Sequence, residues 1–222
     1  MNPALALCGS NPTGEAPFSC ALRTDGGLHA AASPRGERGD LAALVAATCR
    51  AHDVAPAALR ELRIDLGPGS YTGLRVAITF ARTLAEFGDL VTMGVDTLAL
   101  LAAASGPQAA GRRVIAMLDA RRERWHRAVM SWRDDGRLQH DAPSAALPWP
   151  ELLAELRDTD LLVAPANTAP AIDALLLAAG NQQRCAPVHD IRAEALFDER
   201  LPMTVCAPAQ LEPRYLMGSY AE

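Results

Sequence analysis

Short apolar runs that end in glycine-rich turns open the sequence. The run at residues 5–8 predicts a strand, because Gly9 and the polar residues after it end the pattern. Residues 19–23 and 28–32 form two further runs on either side of Asp25-Gly26-Gly27. Since aspartate and glycine tolerate the positive φ angles of tight turns, this arrangement predicts a β-hairpin.

The pattern then changes to helical periodicity. Asp40 can accept hydrogen bonds from the unpaired amides of a first helical turn, so it predicts a helix that runs to about His52. A strand at residues 62–66 leads through a glycine-rich loop into a second helix at residues 74–87. A strand at residues 91–95 and a helix at residues 97–104, capped by Asp96, complete this half. Strands alternating with helices beside a hairpin predict an α/β fold.

Residues 107–112 predict a boundary between an N-terminal lobe at residues 1–106 and a C-terminal lobe at residues 107–222. Beyond the boundary, the pattern predicts strands at residues 114–118, 125–132 and 161–163, and helices at residues 151–157 and 169–179. The stretch after Asp190 is weakly patterned, and no element is assigned to it.

Composition limits the class of protein. Half of the 222 residues are hydrophobic and 21% are charged, which indicates a buried core rather than global disorder. The formal net charge is -5, with 21 Lys and Arg against 26 Asp and Glu. This balance argues against a stand-alone nucleic-acid binder, because contacts with phosphates need a basic surface.

The cysteines and the apolar stretches favour a soluble cytoplasmic protein. The five cysteines lie far apart and form no CxxC pair, which is typical of reduced and mostly buried thiols. Residues 1–7 lack the basic segment of a signal peptide. The apolar stretch at residues 98–104 is far shorter than the about 20 residues of a membrane span, so we expect no membrane association.

The most informative segment is the loop GPGSYTGLR between a predicted strand and a predicted helix. A glycine-rich turn at this position can direct several backbone amides at an anion. The spacing differs from a Walker A loop, which would carry Lys-Ser/Thr at Leu74-Arg75, and from a dinucleotide fingerprint, whose sixth position here is Thr72. The alternative is a tight strand-to-helix connection capped by Thr72. The residues of this motif loop are Gly67, Pro68, Gly69, Ser70, Tyr71, Thr72, Gly73 and Arg75.

Catalytic and metal-binding patterns are missing from the sequence. Ser70 does not lie in a G-x-S-x-G nucleophile elbow, and no histidine–acid pair is suggested near it, so a turn residue is favoured. The five histidines are widely separated and form no H-x-x-x-H or Cys/His cluster. Asp119, close to three arginines, is typical of a charged turn between strands. The sequence therefore predicts no catalytic residue and no metal ligand.

Two helices of the first half carry more apolar surface than one helix face can bury. The helix that starts at Asp40 is rich in alanine, which allows another helix to approach closely. The helix at residues 74–87 is apolar over most of its circumference. Burial in the core and contact with a partner protein are both compatible with this pattern. The candidate partner-interface residues are Leu41, Leu44, Val45, Thr48, Leu74, Ala77, Ile78, Ala81 and Leu84.

Residues 67–85, GPGSYTGLRVAITFARTLA, and residues 91–101, VTMGVDTLALL, closely resemble the signature of the TsaB (YeaZ) family. This family is related to TsaD/Kae1 and to the M22-like glycoproteases. Two weaker matches follow in the same order: residues 119–123, DARRE, resemble its DAR-type turn, and residues 212–216, EPRYL, resemble its terminal P-x-Y-L. The resemblance extends over nearly the whole chain.

The resemblance implies the two-lobed actin/hexokinase/Hsp70-like (ASKHA, ribonuclease H-like) fold. It also implies a non-catalytic scaffold that pairs with the catalytic subunit TsaD through the two helices, and that forms a homodimer when TsaD is absent. TsaD would carry ATP and the metal ion, the ATPase TsaE would act alongside, and this chain alone would bind no cofactor. Such a scaffold supports threonylcarbamoyl transfer to the adenosine beside the anticodon of ANN-decoding tRNAs, which bind only through the complex. A large charged residue at Ala77 or Ala81 should then block pairing and leave the lobe folded.

The chain departs from the family in two places. The family's first strand usually ends in Asp-Thr-Ser, where this chain has Cys8-Gly9-Ser10, and Arg38-Gly39-Asp40 replaces a usual His-Ser-Glu. Loss of that aspartate removes a carboxylate suited to holding a metal–nucleotide, which favours a non-catalytic protein. Three alternatives stay open: an ATP-dependent phosphotransferase or ATPase with GPGSYTG around phosphate, a peptidase, and a diverged homodimeric paralogue without a tRNA role.

Overall fold

The computed structural model describes residues 2–34, 39–106 and 109–216, which divide into two compact units. The first unit takes the described residues within Met1–Thr97, Arg192–Asp198 and Met203–Arg214. The second takes those within Leu98–Ile191, Glu199–Pro202 and Tyr215–Glu222. After building the second unit, the chain therefore returns to the first.

These units differ from the predicted lobes at residues 1–106 and 107–222. The first unit ends at Thr97 and regains two later segments, residues 192–198 and 203–214. Those segments show little hydrophobic periodicity in the sequence. They belong to the first unit because their contacts are with its residues. Pro107 and Gln108 of the predicted boundary, and Arg38 of the His-Ser-Glu replacement, lie outside the described residues.

Strands and helices mix along the chain in the manner of an α/β protein, which confirms the predicted class. In chain order the elements are β1 (Ala4–Cys8), β2 (Ser19–Thr24), β3 (Gly27–Ala32), α1 (Leu41–Ala51), β4 (Glu61–Asp65), α2 (Tyr71–Phe87), β5 (Val91–Val95), α3 (Thr97–Ala103), β6 (Arg113–Asp119), β7 (Arg124–Trp132), β8 (Leu138–Pro148), α4 (Trp149–Glu155), β9 (Leu161–Pro165), α5 (Ala169–Ala178), β10 (Cys185–Val188) and β11 (Thr204–Val205). Short 3-10 turns lie at Pro56–Ala58, Ala193–Phe197 and Pro208–Gln210.

Each unit contains one mixed sheet, in the order β11-β5-β4-β1-β2-β3 in the first and β10-β9-β6-β7-β8 in the second. In the first sheet, β1 is antiparallel to β2 and parallel to β4, β2 is antiparallel to β3, and β4 is parallel to β5. Strands β6 to β10 repeat these relations strand for strand. The two units thus share a topology, although no repeat is visible in the sequence.

Side-chain caps set the starts of the two helices of interest. Asp40 Oδ1 accepts a hydrogen bond from Ala43 N at 3.0 Å, which confirms the predicted start of α1. Helix α2 begins at Tyr71 rather than after Gly73, and its cap is Ser70, whose Oγ accepts a hydrogen bond from Gly73 N at 3.2 Å. The prediction of Thr72 as the cap is wrong, because it treated Gly73 as a residue of the loop.

Sequence patterning does not predict two strands of the second unit, β8 and β10. Strand β8 lies at an edge of its sheet, contains Pro143 and Pro148, and shifts its register against β7 around Val129. Strand β10 lies at the opposite edge and contains Pro187. Edge strands accept proline and exposed polar residues, so the alternation that identifies an inner strand is weak in both.

Each unit has its own hydrophobic core. The first core lies where α1 and α2 pack on the sheet, and the late residue Leu211, 0% exposed, also reaches it. Its fully buried members include Leu5, Leu7, Leu22, Leu62 and Ile64. The second core includes Ile115, Met117, Leu152, Leu162, Ile172 and Leu176. Within the described part of the chain, we find no helix that combines the length and apolar character of a bilayer span.

Candidate functional site

The GPGSYTGLR loop joins β4 to α2 in the first unit. Its first two residues, Gly67 and Pro68, are buried, and residues 69–72 are exposed. Tyr71 and Arg75 form a pair on the surface of α2: the guanidinium donates a hydrogen bond to the Tyr71 hydroxyl and lies 5.3 Å from the ring centre. The motif thus presents a short exposed arc that continues into a tyrosine–arginine pair.

Three backbone amides at the start of α2, those of Ser70, Gly73 and Leu74, are bonded within the protein. Ser70 N donates to Ser10 O at 2.7 Å, and Leu74 N donates to Ser70 O at 2.9 Å. Gly73 N donates to Ser70 Oγ. An anion at a helix N-terminus would need amides of this kind. The geometry corresponds to the second sequence alternative, a tight strand-to-helix connection.

Glycine is required where the loop after β1 meets the first turn of α2. A Cβ atom on Gly73 would lie 2.1 Å from Gly9 O, and a Cβ atom on Gly9 would lie 2.6 Å from Gly73 O. Because no side chain fits at such distances, the two backbone segments pack directly against each other. This contact explains why α2 uses glycine in its first turn.

Sequence reasoning missed Asp65, which ends β4 just before the motif. Its carboxylate is 0% exposed and accepts hydrogen bonds from Gly9 N and Ser10 N, both at 3.0 Å, and from Thr97 Oγ1 at 3.3 Å. Burial raises the pKa of Asp65 above its ordinary value, and the hydrogen bonds from Ser10, Gly9 and Thr97 oppose that rise. The available signal was an acidic residue inside a buried strand between Ile64 and Leu66.

Ser70 and the histidines occupy structural positions. Ser70 caps α2, which agrees with its prediction as a turn residue. His29 and His52 stack with ring centres 3.6 Å apart. His126 on β7 is half-buried, and burial lowers its pKa to about 4. Among residues 2–34, 39–106 and 109–216, no three His, Cys, Asp or Glu side chains are grouped so as to hold a metal ion.

The cysteines are free thiols, as predicted. Cys8, Cys20, Cys49 and Cys185 are buried, and Cys206 is half-buried. Burial raises the pKa of Cys8, Cys20 and Cys49, and that of Cys185 to about 12. A thiol held in its neutral form is a poor nucleophile, so these side chains act as small core residues.

Most candidate interface residues lie inside the first unit, which corrects their assignment. Leu41, Val45, Leu74, Ala77, Ile78 and Ala81 are at most 4% exposed, and Thr48 is 7% exposed. Leu44 and Leu84 are half-buried against the same core. The apolar breadth of the two helices reflects burial in the core, so a partner cannot reach the first seven side chains. A charge at Ala77 or Ala81 would be buried rather than presented to a partner.

A different face of α2 carries exposed apolar side chains. Val76 is 41% exposed, Phe87 is 89% exposed, and Phe80 between them is half-buried. These side chains recur at the spacing of one helix face. Helix α1, which packs beside α2, exposes mainly alanine. We call this set the outer face: Thr72, Val76, Phe80, Thr83 and Phe87 of α2, with Ala42, Ala43, Ala46 and Ala47 of α1.

The DAR-type turn connects β6 to β7 and is the charged turn that the sequence predicts. Asp119 Oδ1 accepts a hydrogen bond from Arg121 N at 2.7 Å. Arg121, Arg122 and Glu123 are in the left-handed region, with φ of 66°, 50° and 61°. The aspartate therefore serves the turn through a local hydrogen bond.

Arg214 of the terminal EPRYL motif lies beside the start of the GPGSYTGLR loop in the first unit. Arg214 N donates to Leu66 O at 2.7 Å, and Arg214 Nη1 lies 4.0 Å from Oδ2 of the buried Asp96. Arg214 is thus adjacent to the ends of β4 and β5, although it is far from them in the sequence.

Comparison with protein families matches residues 21–143 to the family described as TsaD: tRNA N6-adenosine threonylcarbamoyltransferase. The tRNA threonylcarbamoyladenosine biosynthesis protein TsaB of Bacillus subtilis (strain 168) is 32% identical over 108 residues, 49% of this chain and 46% of that protein. TsaB of Escherichia coli (strain K12) is 33% identical over 97 residues, 44% of this chain and 42% of that protein. The chain thus matches just under half the length of these curated relatives.

Solved structures extend the similarity to nearly the whole chain. YeaZ from Pseudomonas aeruginosa has a TM-score of 0.72 at 26% identity and covers 97% of this chain and 100% of its own. A structure described as similar to peptidase YeaZ from Pseudomonas aeruginosa has a TM-score of 0.73 at 24% identity, with 98% and 100% covered, and shows the fold alone. The predicted two-lobed actin/hexokinase/Hsp70-like fold is therefore confirmed. The family match also includes more than half of the chain, so the chain belongs to the TsaD family, and the relatives it resembles are TsaB (YeaZ) proteins.

Proposed function

We propose that this chain is a cytoplasmic, non-catalytic scaffold that binds TsaD and supports threonylcarbamoyl transfer to the adenosine beside the anticodon of ANN-decoding tRNAs. Family membership and the names of the curated relatives support the pathway, since both relatives are tRNA threonylcarbamoyladenosine biosynthesis proteins. The observation that carries the scaffold role is the outer face of α1 and α2.

The outer face has the chemistry of a docking surface for a helix. Val76 and Phe87 expose apolar side chains to water, and covering a phenylalanine side chain stabilises a complex by about 1.5–3 kcal/mol. The exposed alanines of α1 allow the backbone of a partner helix to come close. Apolar side chains at one-face helical spacing are a common means by which helices recognise each other.

The motif loop supports the non-catalytic part of the proposal. Ser70 is engaged as a helix cap, the amides of Ser70, Gly73 and Leu74 are bonded internally, and Cys8 replaces the usual start of the Asp-Thr-Ser motif. In the proposed complex this chain supplies a binding surface, while TsaD supplies ATP, the metal ion and the transfer chemistry. TsaE acts on the assembled pair, the tRNA binds through the complex, and two copies of this chain pair through the outer face when TsaD is absent.

The test is to measure binding to TsaD from the same organism with the wild-type chain and with Val76→Glu. Light scattering on a sizing column gives the stoichiometry, and titration calorimetry gives the dissociation constant. We expect a one-to-one complex for the wild type and a loss of affinity of about 30-fold or more for Val76→Glu, as for a central interface residue. Leu177→Glu is the matched control, because Leu177 is a 53% exposed apolar residue on α5 of the second unit.

Each outcome of this titration is informative. Equal affinity for wild type and Val76→Glu would place the interface elsewhere, and equal weakening by Leu177→Glu would show a general effect of charge. A homodimer that does not respond to TsaD would contradict the scaffold role and favour the diverged paralogue. In cells depleted of their own TsaB, the wild-type chain should restore the modified nucleoside, and Val76→Glu should not.

A further inference from the structure

A buried group that the proposed function does not use is the carboxylate of Asp65. Gly9 N donates to Oδ1 and Ser10 N donates to Oδ2, each at 3.0 Å, so two successive backbone amides hold the two oxygens separately. Thr97 Oγ1 adds a donor at 3.3 Å from Oδ2, and the Ser10 side chain also hydrogen-bonds the carboxyl group. Successive amides that converge on one anion form a nest, the arrangement with which backbones bind phosphate and other oxyanions.

The donors at this nest are neutral groups. Ser10, Asp65 and Thr97 are each at most 1% exposed, so the carboxylate relies on these donors rather than on water. The buried aspartate of the second unit has a charged partner instead: Asp160 pairs with the guanidinium of Arg113 at 3.0 Å. The donors around Asp65 are therefore backbone and hydroxyl dipoles rather than a full positive charge.

We infer that Gly9, Ser10 and Thr97 form an oxyanion-binding site and that the Asp65 carboxylate is its built-in occupant. The chain is self-liganded at this point: a planar carboxylate from β4 fills the position that a free anion would take. Removal of the carboxylate leaves the donors in place and opens a space that matches formate, the smallest carboxylate. This inference stands independently of TsaD binding.

Occupation of the nest also positions the motif loop. Ser10 links Asp65 to the motif loop. Its amide donates to Asp65, and its carbonyl oxygen accepts a hydrogen bond from Ser70 N at 2.7 Å. Thr97, whose hydroxyl binds Asp65, donates its amide to Gly67 O at 2.8 Å. An anion in the nest therefore holds both ends of the segment that leads from β4 into α2.

The test is chemical rescue of Asp65→Ala by sodium formate, with sodium chloride at equal ionic strength as the salt control. We expect Asp65→Ala to melt below the wild type, because the buried donors around the carboxylate lose their acceptor. Formate at about tenfold its dissociation constant should raise the melting temperature of Asp65→Ala by about 4 °C and leave that of the wild type unchanged. If Asp65→Ala does not fold in chloride, the same effect is measured as the folded fraction recovered on refolding in formate.

Two control variants separate a nest from a mere cavity. Leu62→Ala removes a 0% exposed side chain from the same strand and leaves an apolar hole, which formate should not fill. Asp65→Asn keeps the space occupied, so formate should not rescue it either. Rescue of Asp65→Ala alone supports the inference; absence of rescue, or equal rescue of Leu62→Ala, overturns it. Either result is independent of whether TsaD binds.

Discussion

The two units share one sheet topology but build different connections at corresponding positions. In the first, Gly9 and Gly73 bring the loop after β1 into backbone contact with the start of α2. In the second, β6 turns directly into β7 through the DAR-type turn, and α5 begins at Ala169 after Thr168, whose side chain makes no capping hydrogen bond. The strand order decides where a loop lies, and the residues of the loop decide what it can contact. Only the first unit carries the GPGSYTGLR motif.

The helices that follow β4 and β9 differ in the same way. Helix α2 has 17 residues and exposes Val76 and Phe87, whereas α5 has 10 residues and exposes Leu177. A longer helix with apolar residues on both faces can pack on its own sheet and still present a surface. The first unit is therefore where we propose that a partner binds.

The largest predicted effect concerns the inner face of α2. Ala77→Glu should lower the free energy of unfolding by more than about 4 kcal/mol, because it places an unpaired charge at a 0% exposed position. Ala174→Glu, at an exposed position of α5, should change it by less than about 0.5 kcal/mol. Urea denaturation of both variants measures the contrast. An Ala77→Glu protein of wild-type stability would show that α2 does not pack as described.

The next prediction compares the third residue of each helix, Gly73 in α2 and Ala171 in α5. Gly73→Ala should destabilise the protein by about 2–3 kcal/mol, since its Cβ would collide with the carbonyl oxygen of Gly9. Ala171→Gly should cost about 1 kcal/mol, the intrinsic difference in helix propensity, because Ala171 is exposed. Thermal and urea unfolding test both. If Gly73→Ala were stabilising, as propensity alone suggests, the backbone contact would be disproved.

A smaller predicted effect is that the two units contribute oppositely to the pH dependence of stability. His126 of the second unit has its pKa lowered to about 4 by burial. Between pH 6.5 and 4 the unfolded chain takes up a proton that the folded chain does not, so stability falls as pH falls, by about 2 kcal/mol at pH 5. Asp65 of the first unit acts in the opposite direction, because its raised pKa means that the folded state binds a proton more readily than the unfolded state.

Urea titrations of the wild type and of His126→Gln at pH 7 and pH 5 measure the histidine contribution. The variant should lose less stability than the wild type on acidification, and His189→Gln, at an exposed histidine, should behave as the wild type. Identical pH dependence in all three proteins would show that His126 is not held neutral by the fold.

Prediction from the sequence succeeds where a local signal decides the structure. The Asp40 cap and the hairpin around Asp25-Gly26 depend on neighbouring residues, and both are found. Prediction is weaker at Ser70 and Gly73. Gly73 has the character of a loop residue in the sequence but lies in the first turn of α2. Glycine is needed there because the backbone at Gly9, which is distant in the sequence, passes close to it. Sequence patterning does not predict edge strands such as β8, because their exposed residues do not alternate between hydrophobic and polar as the residues of an inner strand do.

The same distinction between local signals and distant contacts applies to the candidate site. The GPGSYTGLR motif and the family it resembles are evident from consecutive residues, and they led to the fold class. The sequence also indicates that α1 and α2 are unusually apolar. It does not separate the side chains that fill the core from those on the outer face, because helical periodicity alone does not say which side meets the sheet.

The sequence by itself determined the α/β class, the two helices of interest, the motif loop and the family, since each depends on local pattern or on consecutive residues. Tertiary structure alone decided the inner and outer faces of α2, the return of residues 192–198 and 203–214 to the first unit, and the burial of Asp65. These features depend on contacts between residues far apart in the chain. Asp65 meets Gly9 and Thr97 only because parallel strands bring their carboxyl ends to one edge of a sheet.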